Sequence, residues 1–242
     1  MGVLKKIVVG VAVIFVLGIL VLGYYGFVPW VSDLMGANKP TDLGVKSTAG
    51  DLASANAKLG VTITTLPPTD NGYDSLTRSG QKQVVTSFTA AELTALFNDH
   101  SQRWKYYPIK DIQVKIADDG TIEMSGVLIS DRFKGFADAV EIPESTRAQV
   151  RPYLLAIASN PSIYIKGRLS VTDGNVQTSI EGVQIGKVAF TGDQIQSYKF
   201  VVDSFIEQRA NGRIIHINSA SFSGGRVNLD MIVPQEVGLT PP

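Results

Sequence analysis

Cysteine is absent from this chain of 242 residues, and histidine occurs twice. The first absence excludes disulfides, thiolate zinc sites, a cysteine nucleophile and lipidation at a lipobox cysteine, while remaining compatible with any redox compartment. With only His100 and His216 available, imidazole chemistry has few places to occur. His100 follows Asn98-Asp99 near a predicted helix end, and His216 lies between Ile215 and Ile217 in a predicted strand and alternates outward, so both read as ordinary polar positions. An excess of charge is missing too. Lys+Arg and Asp+Glu both number 22, so no overall field draws the chain to nucleic acid, which is not expected as a partner.

Chemical motifs are equally scarce. There is no Gly-x-Ser-x-Gly elbow, no phosphate-binding glycine loop and no pair of histidines at metal-ligand spacing. Asp118-Asp119-Gly120 and Asp173-Gly174-Asn175 offer too few oxygens for calcium and lack the downstream glutamate, so they read as turns. Glu141 and Glu144 could be paired carboxylates acting on a glycan, but they flank Pro143 at a predicted helix start, where acids favour the N-terminal dipole in any case. The expectation is a non-enzymatic protein with no cofactor and no metal.

What the chain does have is a greasy start. Residues 7–28 run without a charge, and 22 positions at about 1.5 Å each suffice for the roughly 30 Å hydrocarbon core. The run ends in bulky Tyr24, Tyr25, Phe27 and Trp30, suited to a membrane interface, rather than in the small residues of a cleavage site. Lys5 and Lys6 precede it and Asp33 is the first charge after it. This pattern predicts an uncleaved single-pass anchor with a cytoplasmic N-terminus, Tyr24, Tyr25 and Trp30 at the interface, and an extracytoplasmic main domain.

The rest divides into a juxtamembrane connection over 31–84, a folded domain over 85–236 and a tail over 237–242. Within the connection, 48–59 predicts a short helix stopped by Gly60, "VTITTL" a brief strand, and 69–83 an exposed loop. At Thr89, Glu92 follows three residues on, the spacing of a capping box, and Leu93, Leu96, Phe97 and Trp104 share one broad helix face.

"IQVKIADDGTIEMSG" then alternates on both sides of a turn. A three-residue loop with Gly120 left-handed would oppose Ile116 to Ile122 and Val114 to Met124, placing both apolar sets on one side; a two-residue turn would oppose Ile116 to Glu123. Ser125 and Glu123 would face outward. A helix over 144–159, with Val150, Leu154 and Ile157 inward, precedes a second hairpin. There a two-residue Asp173-Gly174 turn pairs Val171 with Val176 and Leu169 with Thr178, with a bulge past Glu181-Gly182. A third helix over 193–210 leads to strands "RIIHINSASF" and "RVNLDMIV". The fold class is therefore α+β: an N-terminal transmembrane helix, then a curved antiparallel sheet of hairpins packed by amphipathic helices.

One aromatic cluster stands out. "RWKYYPIK" mixes Trp104, Tyr106 and Tyr107 with Arg103, Lys105 and Lys110, and two roles fit it: contact with an anionic headgroup or polysaccharide, or the capping of a core where helix meets strand. Trp104, Tyr106 and Tyr107 are the candidate ligand-binding residues.

The anchor followed by "FTAAELTALFN" and "IKDIQVKIADDGTIEMSGVL" resembles the YpmS-like bacterial envelope proteins, single-pass proteins whose outer domain is similar to tubular lipid-binding (TULIP-like) folds. The resemblance covers the anchor and about residues 85–130. It implies a curved sheet wrapping a helix around an apolar groove, and binding of lipid or another hydrophobic ligand. The alternative is an envelope scaffold or assembly factor that holds a protein partner on its outer sheet face or edge.

Overall fold

The computed structural model describes residues 16–17, 19–20, 29–148, 160–212 and 215–242. Most of the 7–28 run, including Tyr24 and Tyr25, and most of the helix expected over 144–159 lie outside these residues. Val16, Leu17, Ile19 and Leu20 are helical, and so are 144–148. No helix among the described residues is long and apolar enough to cross a membrane.

Among the described residues past 28, two α-helices precede the main sheet. Helix α1 (Pro29–Met35) is followed by α2 (Ala49–Leu59). The expected stop of α2 is present: Thr48 caps its first turn reciprocally with Asp51, and Gly60 ends it at φ 57°, in the left-handed region where a side chain would be strained. Then come β1 (Thr62–Thr65), β2 (Leu76–Ser79) and β3 (Lys82–Thr89). Helix α3 (Ala90–Arg103) starts with the predicted capping box between Thr89 and Glu92. It leads into β4 (Ile109–Ile116) and β5 (Ile122–Leu128), and helix α4 (Phe133–Ala139) follows. Beyond residue 160 lie β6 (Ser162–Thr172), β7 (Asn175–Ile185), β8 (Val188–Ala189), α5 (Gly192–Ala210), β9 (His216–Ser223), β10 (Arg226–Val233) and β11 (Glu236–Leu239).

The fold is α+β, with a curved, antiparallel, eight-stranded sheet. Its main path runs β3-β10-β9-β6-β5-β4, with β7 and β8 continuing from β6. The long strand β6 makes this branching possible: one of its edges pairs with β5 up to Gly167 and with β9 at Val171 and Thr172. Both hairpin registers follow from turn chemistry. Ile116 faces Ile122 and Val114 faces Met124 across a loop with Gly120 at φ 82°. Val171 faces Val176 and Leu169 faces Thr178 across Asp173-Gly174, both at positive φ. The bulge expected near Glu181 appears as a register shift opposite Lys166 and Gly167.

The two end strands of the path curl toward each other with α3 between them. Phe88 and Val84 from β3, Val227 and Met231 from β10, Ile112, Val114 and Ile116 from β4, and Leu96 from α3 form one buried core. Helix α3 also closes the outer edge of β4. The Thr94 hydroxyl accepts from Val114 N–H at 3.0 Å, and Asn98 both accepts from Ile112 N–H at 2.9 Å and donates to Ile112 C=O at 2.8 Å. An edge strand whose free groups are used in this way cannot template another chain. Asn98→Ala should cost about 1–2 kcal/mol and speed hydrogen exchange at the Ile112 amide. Unchanged exchange there would refute the sealing role.

Helix α2 is pinned to α3 by a largely buried carboxylate. Glu92 accepts from Lys58 at 2.6 Å and 2.7 Å, from Ser54 Oγ at 2.5 Å and from Thr89 N–H at 2.8 Å.

Several sequence expectations need correction. The exposed loop over 69–83 contains a 3₁₀ turn (Gly72–Asp74) and β2, with Ser75 wholly buried. Residues set apart as a tail supply β11, which joins β1 in parallel and β2 antiparallel in a three-stranded sheet. The expected boundary at 84/85 falls inside β3. The connection is partly packed as well: Val31, Ser32 and Ala37 are fully buried, and Leu43 N–H donates to Gln113 on the outer side of β4 at 2.9 Å. Ser125 points outward as expected, yet it is 0 % exposed, because this outer face is not all open to water.

Candidate functional site

The concave side of the sheet is the candidate site, and its apolar lining follows from the alternation of the strands. Ile122 and Met124 on β5 align with Gly167 and Ile165 on β6, and Ile163, Leu169 and Ile217 lie on the same side. All six of these apolar side chains are only half-buried. The reason lies in where the helices sit. Helix α3 packs over β3 and β4 and α5 over β7 and β9, and no helix among the described residues packs chiefly on β5 or β6, although Ile122, Met124 and Ile217 also pack against the core beneath α3. The region beneath α3 is a solid core, with Phe88 1 % and Ile112 2 % exposed, so an elongated cavity under that helix is not what the sheet encloses.

The opposite face is polar and cross-linked. Glu123 accepts from Tyr164 OH at 2.7 Å and pairs with Lys115 at 3.3 Å; Arg168 pairs with Asp119 at 2.5 Å and with Glu181 at 3.4 Å. The hydrogen bond from Tyr164 is the main cause holding the Glu123 carboxyl below its ordinary range. Burial and that same bond push Tyr164 up to about 12.

Trp104, Tyr106 and Tyr107, read as ligand contacts, are brought together by the structure but turned into a second core. Trp104 is 4 % exposed and packs with Ala139, Val140 and Leu239, its indole N–H donating to Ser75 Oγ at 3.2 Å. Its ring meets Tyr107 edge-on at 6.1 Å and Phe136 at 5.7 Å. Tyr106 lies so close to Gly135 that a Cβ there would come within 2.1 Å of its ring. Burial pushes the Tyr107 hydroxyl up to about 12. Trp104 is therefore a core residue, since an indole this enclosed has no face left for a ligand, while Tyr106 and Tyr107 pack against the same cluster and stay partly exposed. Lys105 reaches outward to Asp70 at 2.6 Å.

The remaining candidates are dispersed. Glu141 and Glu144 are both exposed. His100 Nδ1 lies 2.9 Å from the Leu96 carbonyl, one turn back on its own helix. Asp118–Gly120 and Asp173-Gly174 are hairpin turns, and no cluster of three or more His, Cys, Asp or Glu that could hold a metal exists among the described residues. Trp30 lies in α1 and is described by its backbone alone.

Sequence reasoning missed the pairing of Thr94 and Asn98 with β4. Their spacing of four on a helix was the available signal, but nothing local names a strand edge as their partner. Comparison of the chain with protein-family models, curated proteins and solved structures finds no match.

Proposed function

We propose that the chain is a single-pass, extracytoplasmic, non-enzymatic protein that holds a lipid or another apolar molecule against the concave face of its sheet. The observation that carries this reading is the apolar strip of β5 and β6, only partly buried in a concavity flanked by two helices. Covering the surface that these six aliphatic side chains still expose would contribute a few kcal/mol at roughly 25 cal/mol per Å². The uncharged run over 7–28, with its preceding lysines, supplies the tether. A sheet curved around a helix is also what the YpmS-like, TULIP-like resemblance implies, and membership of that group is part of this proposal.

The rival, an envelope scaffold that adds a partner's strand to a sheet edge, has less to stand on. The β4 edge is occupied by α3, and Lys58 donates to the Ser87 carbonyl of β3 at 2.9 Å. Mass spectrometry of organic extracts separates the readings when full-length protein is compared with Ile165→Glu, because both carry the same anchor and its boundary lipid. Wild type should retain a lipid species in near-stoichiometric amount that the variant lowers at least about tenfold, the effect of roughly 1.4 kcal/mol or more. Identical extracts would refute the apolar-ligand reading.

A further inference from the structure

The end of the sheet nearest the N-terminal run carries a half-buried cation, Arg132, that forms no ion pair among the described residues. Helix α1 has seven residues, so at about 1.5 Å per residue it extends only about 10 Å. Directly after it, the Ala37 carbonyl accepts from both the N–H and the hydroxyl of Ser162, at 2.9 Å and 3.0 Å, which fastens the chain to the first residue of β6. The same end gathers three other loops. Leu128 N–H donates to Pro161, Ile129 N–H to Pro108 and Gly186 N–H to Ser162. If residues 7–28 cross a bilayer, this end of the domain is held beside its surface.

A cleft of about 320 Å³ opens here, lined among others by Ser101, Gln102, Lys110, Asp111, Ile129 and Arg132. Strand β4 bulges at the rim, where Asp111 takes φ 52°. Arg132 is half-buried, and its Nη1 donates to the carbonyls of Ser101 and Tyr107, both at 3.2 Å. Burial lowers its pKa, and no carboxylate among the described residues offsets that cost. Lys110 is exposed and makes no ion pair among the described residues. Arg132 and Lys110 bring two cations to a cleft whose lining also includes the carboxylate of Asp111 and Pro242, the last residue of the sequence. A guanidinium held by backbone carbonyls through Nη1, with no further protein partner among the described residues, is arranged to take a phosphate oxygen pair.

We infer that this cleft receives the phosphate of an anionic phospholipid headgroup from the bilayer that holds the N-terminal run. The inference rests on the anchored reading above. It is separate from the apolar strip, which lies on the concave face rather than at this end.

The absence of cysteine makes single-cysteine labelling clean. Full-length protein is placed in nanodiscs of phosphatidylcholine alone or with one-third phosphatidylglycerol, and an environment-sensitive dye on Gln102→Cys reports on the cleft. Phosphatidylglycerol should give a saturable emission shift, weakened about tenfold by Arg132→Gln and two- to threefold by Lys110→Gln. Equal signals in both discs, or a shift that survives Arg132→Gln, would overturn the inference. A shift reproduced by inorganic phosphate in phosphatidylcholine discs would overturn the lipid source. A headgroup spin label should quench a dye on Lys187→Cys several-fold, yet spare one on Asn175→Cys, about 35 Å away at the far end of β6. Equal quenching would overturn the orientation. Failure of the chain to enter discs at all refutes the anchor instead, so the two failures are distinct.

Discussion

Glu92→Ala should lower the unfolding free energy by about 3 kcal/mol, the scale of removing one partner from a buried ion pair. The carboxylate's side chain is 6 % exposed and serves two helices at once: it caps α3 through Thr89, and binds Ser54 and Lys58 of α2. Burial by itself would push its pKa up. The hydrogen bonds from Lys58, Ser54 and the Thr89 amide outweigh burial and bring it from 4.5 down to about 2. A carboxyl depressed in the folded state stabilises the fold above its unfolded pKa, and that contribution is lost as pH falls through the folded value. Wild type should therefore lose up to about 3 kcal/mol between pH 4.5 and 2 that Glu92→Ala does not lose. Urea melts of both proteins across that range measure the difference. Parallel pH profiles would show that Glu92 contributes little, whatever its contacts.

The capping box was readable because it needs only residues three apart, and so were the two hairpins. Parity around Asp118-Asp119-Gly120 and Asp173-Gly174 selects one register that keeps both apolar sets together, and a slip by one would expose them. What could not be read was non-local. Strand β11 pairs with β1 across Thr62 and Glu236, and neither four-residue segment carries a signal naming the other. A short "VTITTL" followed by Pro67-Pro68 looks like part of a connection until its distant partner is known. Ser125 shows the same limit. Its outward direction followed from alternation, but its burial depends on coverage of the outer face, and Oγ is left without a partner among the described residues. For the candidate site, the apolar alternation of β5 and β6 was visible in sequence. That α3 and α5 pack chiefly on other strands was not.

Trp104→Ala tests the largest reassignment. As a ligand contact, the tryptophan could be removed with loss of binding and little effect on the fold. As the centre of the second core, its removal should cost about 4 kcal/mol, the range for deleting a buried large aromatic. The geometry favours the higher cost. Trp104 is the C-cap residue of α3, yet its neighbours come from α4 and from β11, so the indole joins segments far apart in the chain. The lost bond to Ser75 Oγ adds about 1 kcal/mol within that total. Trp104→Phe should recover more than half of the stability by refilling the space without the N–H donor. The second sheet should loosen before the first, because Leu239 and Val237 of β11 pack in the same cluster. Hydrogen exchange in Trp104→Ala should accordingly rise first in β1, β2 and β11, while the α3–β4 region stays protected. Global melting with no early opening of β11 would show that the two cores act as one cooperative unit. An unchanged denaturation midpoint would return Trp104 to the surface role its sequence context also allowed.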